Sequence, residues 1–188
     1  MKAFIGGIVA TLLVLATVAY LGVTQGLLIP ANADARPGKM ETWAARASLR
    51  AAIAREAPTS ANPVALDERN LSEGVKLYAA NCAVCHGVAD GRPSNIAFGL
   101  YQRAPQLGKH GVEDDPEGET YWKIKHGIRL TGMPSFTKTL DDTQIWQVAL
   151  FLKHMDSLPA APQKLWKATK NSAALVPADK LPKRVPGK

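Results

Sequence analysis

Residues 82–86 read Cys82-Ala83-Val84-Cys85-His86, and this run decides how the rest of the chain is read. Two thiols two residues apart can each add across a vinyl group of one porphyrin, and the adjacent imidazole is then held where it can ligate the iron. A bare Cys-x-x-Cys also occurs in thioredoxin-like redox sites and as half of a zinc site. The first belongs to a βαβ setting, and the second needs two further ligands at metal-binding spacing. Neither is present: Cys82 and Cys85 are the only cysteines, and His110, His126 and His154 are scattered. The run is therefore read as the attachment site of one haem c, bonded through Cys82 and Cys85, with His86 as an iron ligand. Both cysteines are then used, so disulfides say nothing about the compartment.

A low-spin haem that carries electrons needs a second axial ligand, and a neutral thioether favours ferrous iron and keeps exchangeable water away. The chain has four methionines. Met1 is its first residue, Met40 precedes the cysteine run in a different segment, and Met155 lies in an apolar helical pattern that reads as core. Met133 follows His86 by 47 residues, between Gly132 and Pro134, which together restrict the backbone and predict a loop. A loop can present a sulfur to iron without distorting a helix, so Met133 is the expected second metal ligand.

Residues 67–160 resemble the class I cytochromes c. The resemblance rests on four separated pieces in order: Glu73-Gly74 and Leu77-Tyr78 leading into the cysteine run; Ala104-Pro105-Gln106-Leu107; Tyr121-Trp122-Lys123-Ile124 through Gly127-Ile128 to Thr131-Gly132-Met133-Pro134; and Asp142 to Met155. It implies that the Pro105 carbonyl accepts the Nδ1 hydrogen of His86 and fixes the ring, as outer partners of metal ligands do. It implies that Gly74 and Tyr78 meet the C-terminal helix near Val148 and Phe151, and that Tyr121, Trp122 or Arg129 lies near the haem propionates. The implied function is that of a one-electron carrier in a periplasmic or respiratory electron-transfer chain, using a His/Met-ligated haem, and not that of an enzyme in its own right. Its partner would be a periplasmic redox protein or a membrane oxidoreductase complex, of which it could be a subunit: a dehydrogenase, an oxidase or a reductase. The rival from another class is a haem enzyme or gas sensor in which Met133 is unbound and the sixth position is open.

The local patterns point to an all-α fold. Ser72 can cap a helix over 73–81, and Asp141 with Gln144 resembles a capping box before Ile145, Val148, Ala149, Leu152 and Met155 at helical spacing, ended by Pro159. Residues 87–118 are rich in Gly, Pro and Asp and predict loops with short helical turns around the haem. No segment alternates with period two. A domain this small buries a modest core, and a bound macrocycle supplies the missing apolar body.

Residues 3–29 contain no charge, with Lys2 in front, and about 20 helical residues cross a bilayer. Residues 1–29 are read as a transmembrane anchor, with a cleaved signal peptide as the alternative because Ala31-Asn32-Ala33 resembles a cleavage site. Haem attachment at such a motif takes place outside the cytoplasmic membrane in bacteria, which predicts a single-pass inner-membrane protein with its haem domain in the periplasm. Residues 30–66 are expected to be a periplasmic connector. They contain a helix at about 40–57 bearing Trp43, Arg46 and Arg50, suited to the membrane surface, to a partner, or to service as a plain spacer.

The formal net charge of +7 is unevenly spread. Residues 67–160 hold 10 lysines and arginines against 12 aspartates and glutamates, a net of −2, whereas 161–188 hold 7 against 1, a net of +6. The last segment, with Pro162, Pro177, Pro182 and Pro186, is expected to be a flexible basic tail. An exported chain is a poor candidate for nucleic acid; the basic tail either touches anionic lipid or an acidic partner or is a solvated tail with no binding role. The acidic run 113–119 lacks the alternating ligand pattern of a calcium loop and reads as a solvated surface.

Overall fold

In a computed structural model, residues 2–27, 31–109 and 111–177 are described, and they form eight helices and no strand. The chain forms two compact units, Met1–Ala35 and Arg36–Lys188. The first contains α1 (Lys2–Thr24), an uninterrupted apolar helix of mean hydropathy 2.3, with no buried residue. At a rise of about 1.5 Å per residue its 23 residues exceed the ~30 Å of a hydrocarbon core, so α1 is long and apolar enough to cross a membrane. Its threonines suit that setting: Thr11, Thr17 and Thr24 donate their hydroxyls to Gly7, Leu13 and Tyr20 carbonyls one turn back, leaving no bare donor.

The second unit contains α2 (Lys39–Glu56), α3 (Glu68–Asn81), α4 (Ala83–His86), α5 (Asn95–Gly99), α6 (Glu117–His126), α7 (Asp142–Lys153) and α8 (Ala160–Ala168). α3 starts five residues before the expected 73, because Asp67 outcompetes Ser72 as its cap: the Asp67 carboxylate accepts from the Asn70 N–H at 2.7 Å. The capping box of α7 forms as read, with Asp141 accepting from Gln144 N–H at 2.8 Å and Gln144 accepting from Asp141 N–H at 3.0 Å. α6 has no counterpart in the sequence reading. Its signals were Glu117 and Glu119 in the first turn, Lys123, Lys125 and His126 in the last, and Gly127 at φ +66° beyond the end.

The core is the crossing of α3 and α7. Gly74 makes it possible, since a Cβ there would collide with the Gln147 carbonyl and the Phe151 Cβ. Tyr78, fully buried, meets Phe151 edge to face at 5.5 Å and satisfies its hydroxyl on the Gly87 carbonyl at 2.9 Å.

The segment after Pro159 departs, as far as residue 177, from the expected flexible tail. α8 inserts Trp166 edge to face against Tyr78 (5.5 Å) and Phe151 (5.2 Å), and Pro162 is buried beside it. The chain then runs back over the cysteine turn, where Asn171 donates to the Ala83 carbonyl at 2.7 Å and Val176 N–H to the Pro93 carbonyl at 3.0 Å. Lysines 164, 167 and 170 give the segment its basic, solvated pattern, yet they line the outer face of an amphipathic turn whose inner face is apolar. The remainder of the basic tail, 178–188, lies outside the described residues, as do residues 28–30 at the end of the expected anchor.

Candidate haem crevice

The cysteine run is wound into one helical turn. Cys82 ends α3, α4 carries Cys85 and His86, and Gly87 at φ +75° stops it, a conformation glycine adopts without Cβ strain. Buttresses surround the turn: Gln106 donates to the Cys85 carbonyl at 2.9 Å, and the buried Ser94 donates to the Val84 carbonyl while accepting from Ala97 N–H at 3.1 Å. His86 Nδ1 lies 3.0 Å from the Pro105 carbonyl, which leaves Nε2 as the nitrogen available to a metal. Desolvation pulls the His86 pKa down, partly opposed by the Pro105 bond, so the ring is neutral near pH 7 as a ligand must be. The Cys82 thiol is pushed up to about 12, chiefly by burial and secondarily by Cys85. Burial also raises Cys85. The described elements are all helices, so the βαβ setting of a thioredoxin-like site is absent among the described residues. No group of three or more His, Cys, Asp or Glu gathers among the described residues, which removes a zinc site built from such residues there.

Cys82, Cys85 and His86 open onto a cavity of 760 Å³. Cofactor sites span about 300–1,000 Å³. Met133 lines the same cavity, as do Pro105, Leu107, Trp122 and Phe136. Of the other methionines among the described residues, Met40 is 80% exposed and Met155 is packed in the core, and neither lines the cavity.

Met133 sits in the loop that follows α6. Ile128 N–H donates to the Met133 carbonyl at 3.1 Å, the Thr131 hydroxyl donates to the Ile128 carbonyl at 2.7 Å, and Met133 N–H donates to the Thr131 hydroxyl at 3.1 Å. Ser135 and Thr137 both donate to the Lys125 carbonyl at 2.7 Å, tying the loop to the end of α6. Gly132 has no unusual φ; its missing Cβ admits the Leu100 side chain. Leu130, at φ +61° and 88% exposed, is the single non-glycine residue with positive φ among the described residues.

The donor set and the charges fit a haem. Two thiols and an imidazole occupy one turn, a thioether occupies a separate loop on the same cavity, and the lining is mostly apolar. Four cations also line the cavity. Lys123 is paired with Asp115 (3.0 Å) and Glu119 (3.6 Å), but Arg46, Arg103 and Arg129 make no ion pair among the described residues. Two propionates would meet that uncompensated charge. Of the residues expected near them, Arg129 and Trp122 line the cavity, whereas Tyr121 does not. Its ring stacks on Trp146 at 4.2 Å, and its hydroxyl is shared between Asp142 (2.8 Å) and Lys125 (2.8 Å). The acidic run 113–119 is also turned inward in part: beyond the Lys123 pairs, Lys153 donates to the Glu113 and Asp115 carbonyls.

An all-helical fold with a Cys-x-x-Cys-His turn facing an apolar crevice is that of a c-type cytochrome, a class that carries haem covalently and transfers electrons with it. Residues 69–152 match the family model described as Cytochrome C oxidase, cbb3-type, subunit III, and this part of the chain is a c-type cytochrome domain with one haem c on Cys82 and Cys85. No curated relative and no solved structure matches the chain.

Proposed function

We propose that the chain is a membrane-anchored, monohaem electron carrier whose iron is ligated by His86 and Met133, with Pro105 fixing the His86 ring. The observation that carries this reading is the arrival of Met133, from 47 residues away, on the cavity that Cys82, Cys85 and His86 line. The bound haem supplies a one-electron couple between ferric and ferrous iron. The protein's share is to hold both ligands in place through either oxidation state, to exclude water, and to leave part of the haem edge open to partners through a small transient interface. We divide the chain into an anchor (1–29), a connector (30–66), a haem domain (67–160) and a C-terminal segment (161–188) whose first part, from α8 to Val176, packs onto the haem domain.

The family description names an oxidase subunit, which favours a membrane oxidoreductase complex as partner. Because such haems are attached outside the cytoplasmic membrane, the haem domain is placed in the periplasm and α1 in the inner membrane.

The deciding test is the visible spectrum of the purified chain with and without carbon monoxide. A six-coordinate carrier shows a weak far-red sulfur-to-iron band when oxidised and little carbon monoxide binding when reduced. Met133→Ala should remove the band, admit carbon monoxide and lower the reduction potential by on the order of 0.1 V, within the roughly 0.8 V that axial ligation spans. Fast, complete binding to the unmodified chain would establish the open-site enzyme or sensor instead. Anchoring is tested separately by carbonate washing and intact mass: a retained N-terminal segment is expected, and a mature chain beginning at Asp34 or Arg36 would show a cleaved signal.

A further inference from the structure

The crevice has a wall that lies outside the cysteine run and outside the matched segment 69–152. Glu41, Ala45, Ser48, Leu49 and Ala52 of α2 line the same cavity as Cys82, Cys85, His86 and Met133. Their spacing of three and four residues puts them on one helical face, while Met40 and Trp43, 80% and 68% exposed, occupy the opposite one. The helix is fastened at both ends. Near its start the Tyr101 hydroxyl reaches both Glu41 carboxylate oxygens, at 2.8 and 2.7 Å. Near its end Ile53 is buried, the Pro58 carbonyl occupies the space a Cβ on Gly118 would need, and Asn62 donates to Glu117 (3.0 Å) and to the Trp146 carbonyl (3.2 Å). A plain spacer needs none of these ties.

We propose that α2 is part of the haem-binding site, covering one edge of the macrocycle with its Ala45, Leu49 and Ala52 face and closing that edge to water and to partners. The inference rests on the reading of the cavity as the haem crevice. Removing water from one edge lowers the local dielectric, which disfavours the extra positive charge of ferric iron and raises the reduction potential. Electron exchange is then confined to the edge that α2 leaves open.

The test uses the full chain in detergent, with Leu49→Glu on the cavity face and Trp43→Glu on the outer face. Two quantities are read: the reduction potential, and the rate at which imidazole displaces the sixth ligand of the oxidised haem. Leu49→Glu should lower the potential and speed displacement by roughly tenfold or more, because the burial lost is that of a whole leucine side chain. Trp43→Glu should change neither. Leu49→Ala and Tyr101→Phe, milder and not charged, should move both readings in the same direction by less, and they decide the matter if Leu49→Glu does not accumulate with haem. Inner-face variants that behave like Trp43→Glu would overturn the role of α2 while leaving the crevice intact. Absence of covalent haem in the unmodified chain would overturn the crevice reading and this inference together.

Discussion

The two loops that face the crevice are built on different terms. The cysteine turn is held from many sides at once: Pro105 on His86, Gln106 on Cys85, Ser94 on Val84, Asn171 on Ala83, with Val88 and Leu107 buried around it. The Met133 loop is held mostly by itself, through Ile128, Thr131 and two hydroxyls on one carbonyl of α6, and it carries Leu130 exposed at a positive φ. Bonds within twelve residues of the chain fix a local shape, but they leave the loop free to open as a unit. The difference teaches that the covalent side is a scaffold, whereas the thioether side is where the site would first yield.

That contrast predicts effects of very different size. Replacing both Cys82 and Cys85 with Ala should have the largest: any remaining haem should be extracted by acidic organic solvent, and the domain should lose the apolar body that fills its 760 Å³ cavity. Haem retained through that extraction would contradict the assigned attachment. Next comes Trp166→Ala, which removes the aromatic that wedges against Tyr78 and Phe151 behind the cysteine turn. A loss of about 3–5 kcal/mol in chemical denaturation is expected. The far-red band should stay in place, since Trp166 does not line the cavity.

A smaller effect is expected on the other side. Thr131→Val removes the hydroxyl that links the Ile128 carbonyl to Met133 N–H and should cost about 0.5–1.5 kcal/mol, expressed as easier displacement of the sixth ligand with little change in global unfolding. Equal losses in both measurements would mean that the loop does not open independently. The smallest effect concerns Asp142, which Lys125 and then Tyr121 hold below the ordinary aspartate value of 3.8. A depressed carboxylate contributes stability above its unfolded value, and that contribution is lost as pH falls through the folded one. Asp142→Asn should therefore flatten the acid limb of a stability–pH curve slightly below about pH 4, and leave the curve at neutral pH almost unmoved because Asp142 itself is largely exposed.

How much of this was legible in the sequence follows from how local each feature is. The attachment chemistry needs residues two and three apart, so Cys82, Cys85 and His86 could be named without a fold. The α7 cap was equally plain, since Asp141 and Gln144 satisfy each other across one turn. Met133 was singled out by its glycine and proline neighbours, although the structure assigns Gly132 a different task, making room for Leu100. Of the three residues that the resemblance offered for the propionates, Tyr121 is turned away, and what holds it includes Trp146 and Asp142, more than twenty residues on.

By itself the sequence determined the haem motif, the all-helical class and the apolar length of α1, because each depends on residue type and spacing along the chain. Tertiary structure alone decided that α2 faces the crevice and that α8 closes over Tyr78. The reason is that an Ala-rich helix has no apolar stripe distinctive enough to announce its partner, and lysines on an amphipathic turn mask the buried Trp166. Which surface such segments cover depends on shapes built by residues far away in the chain, and those shapes exist only once α3 and α7 have crossed.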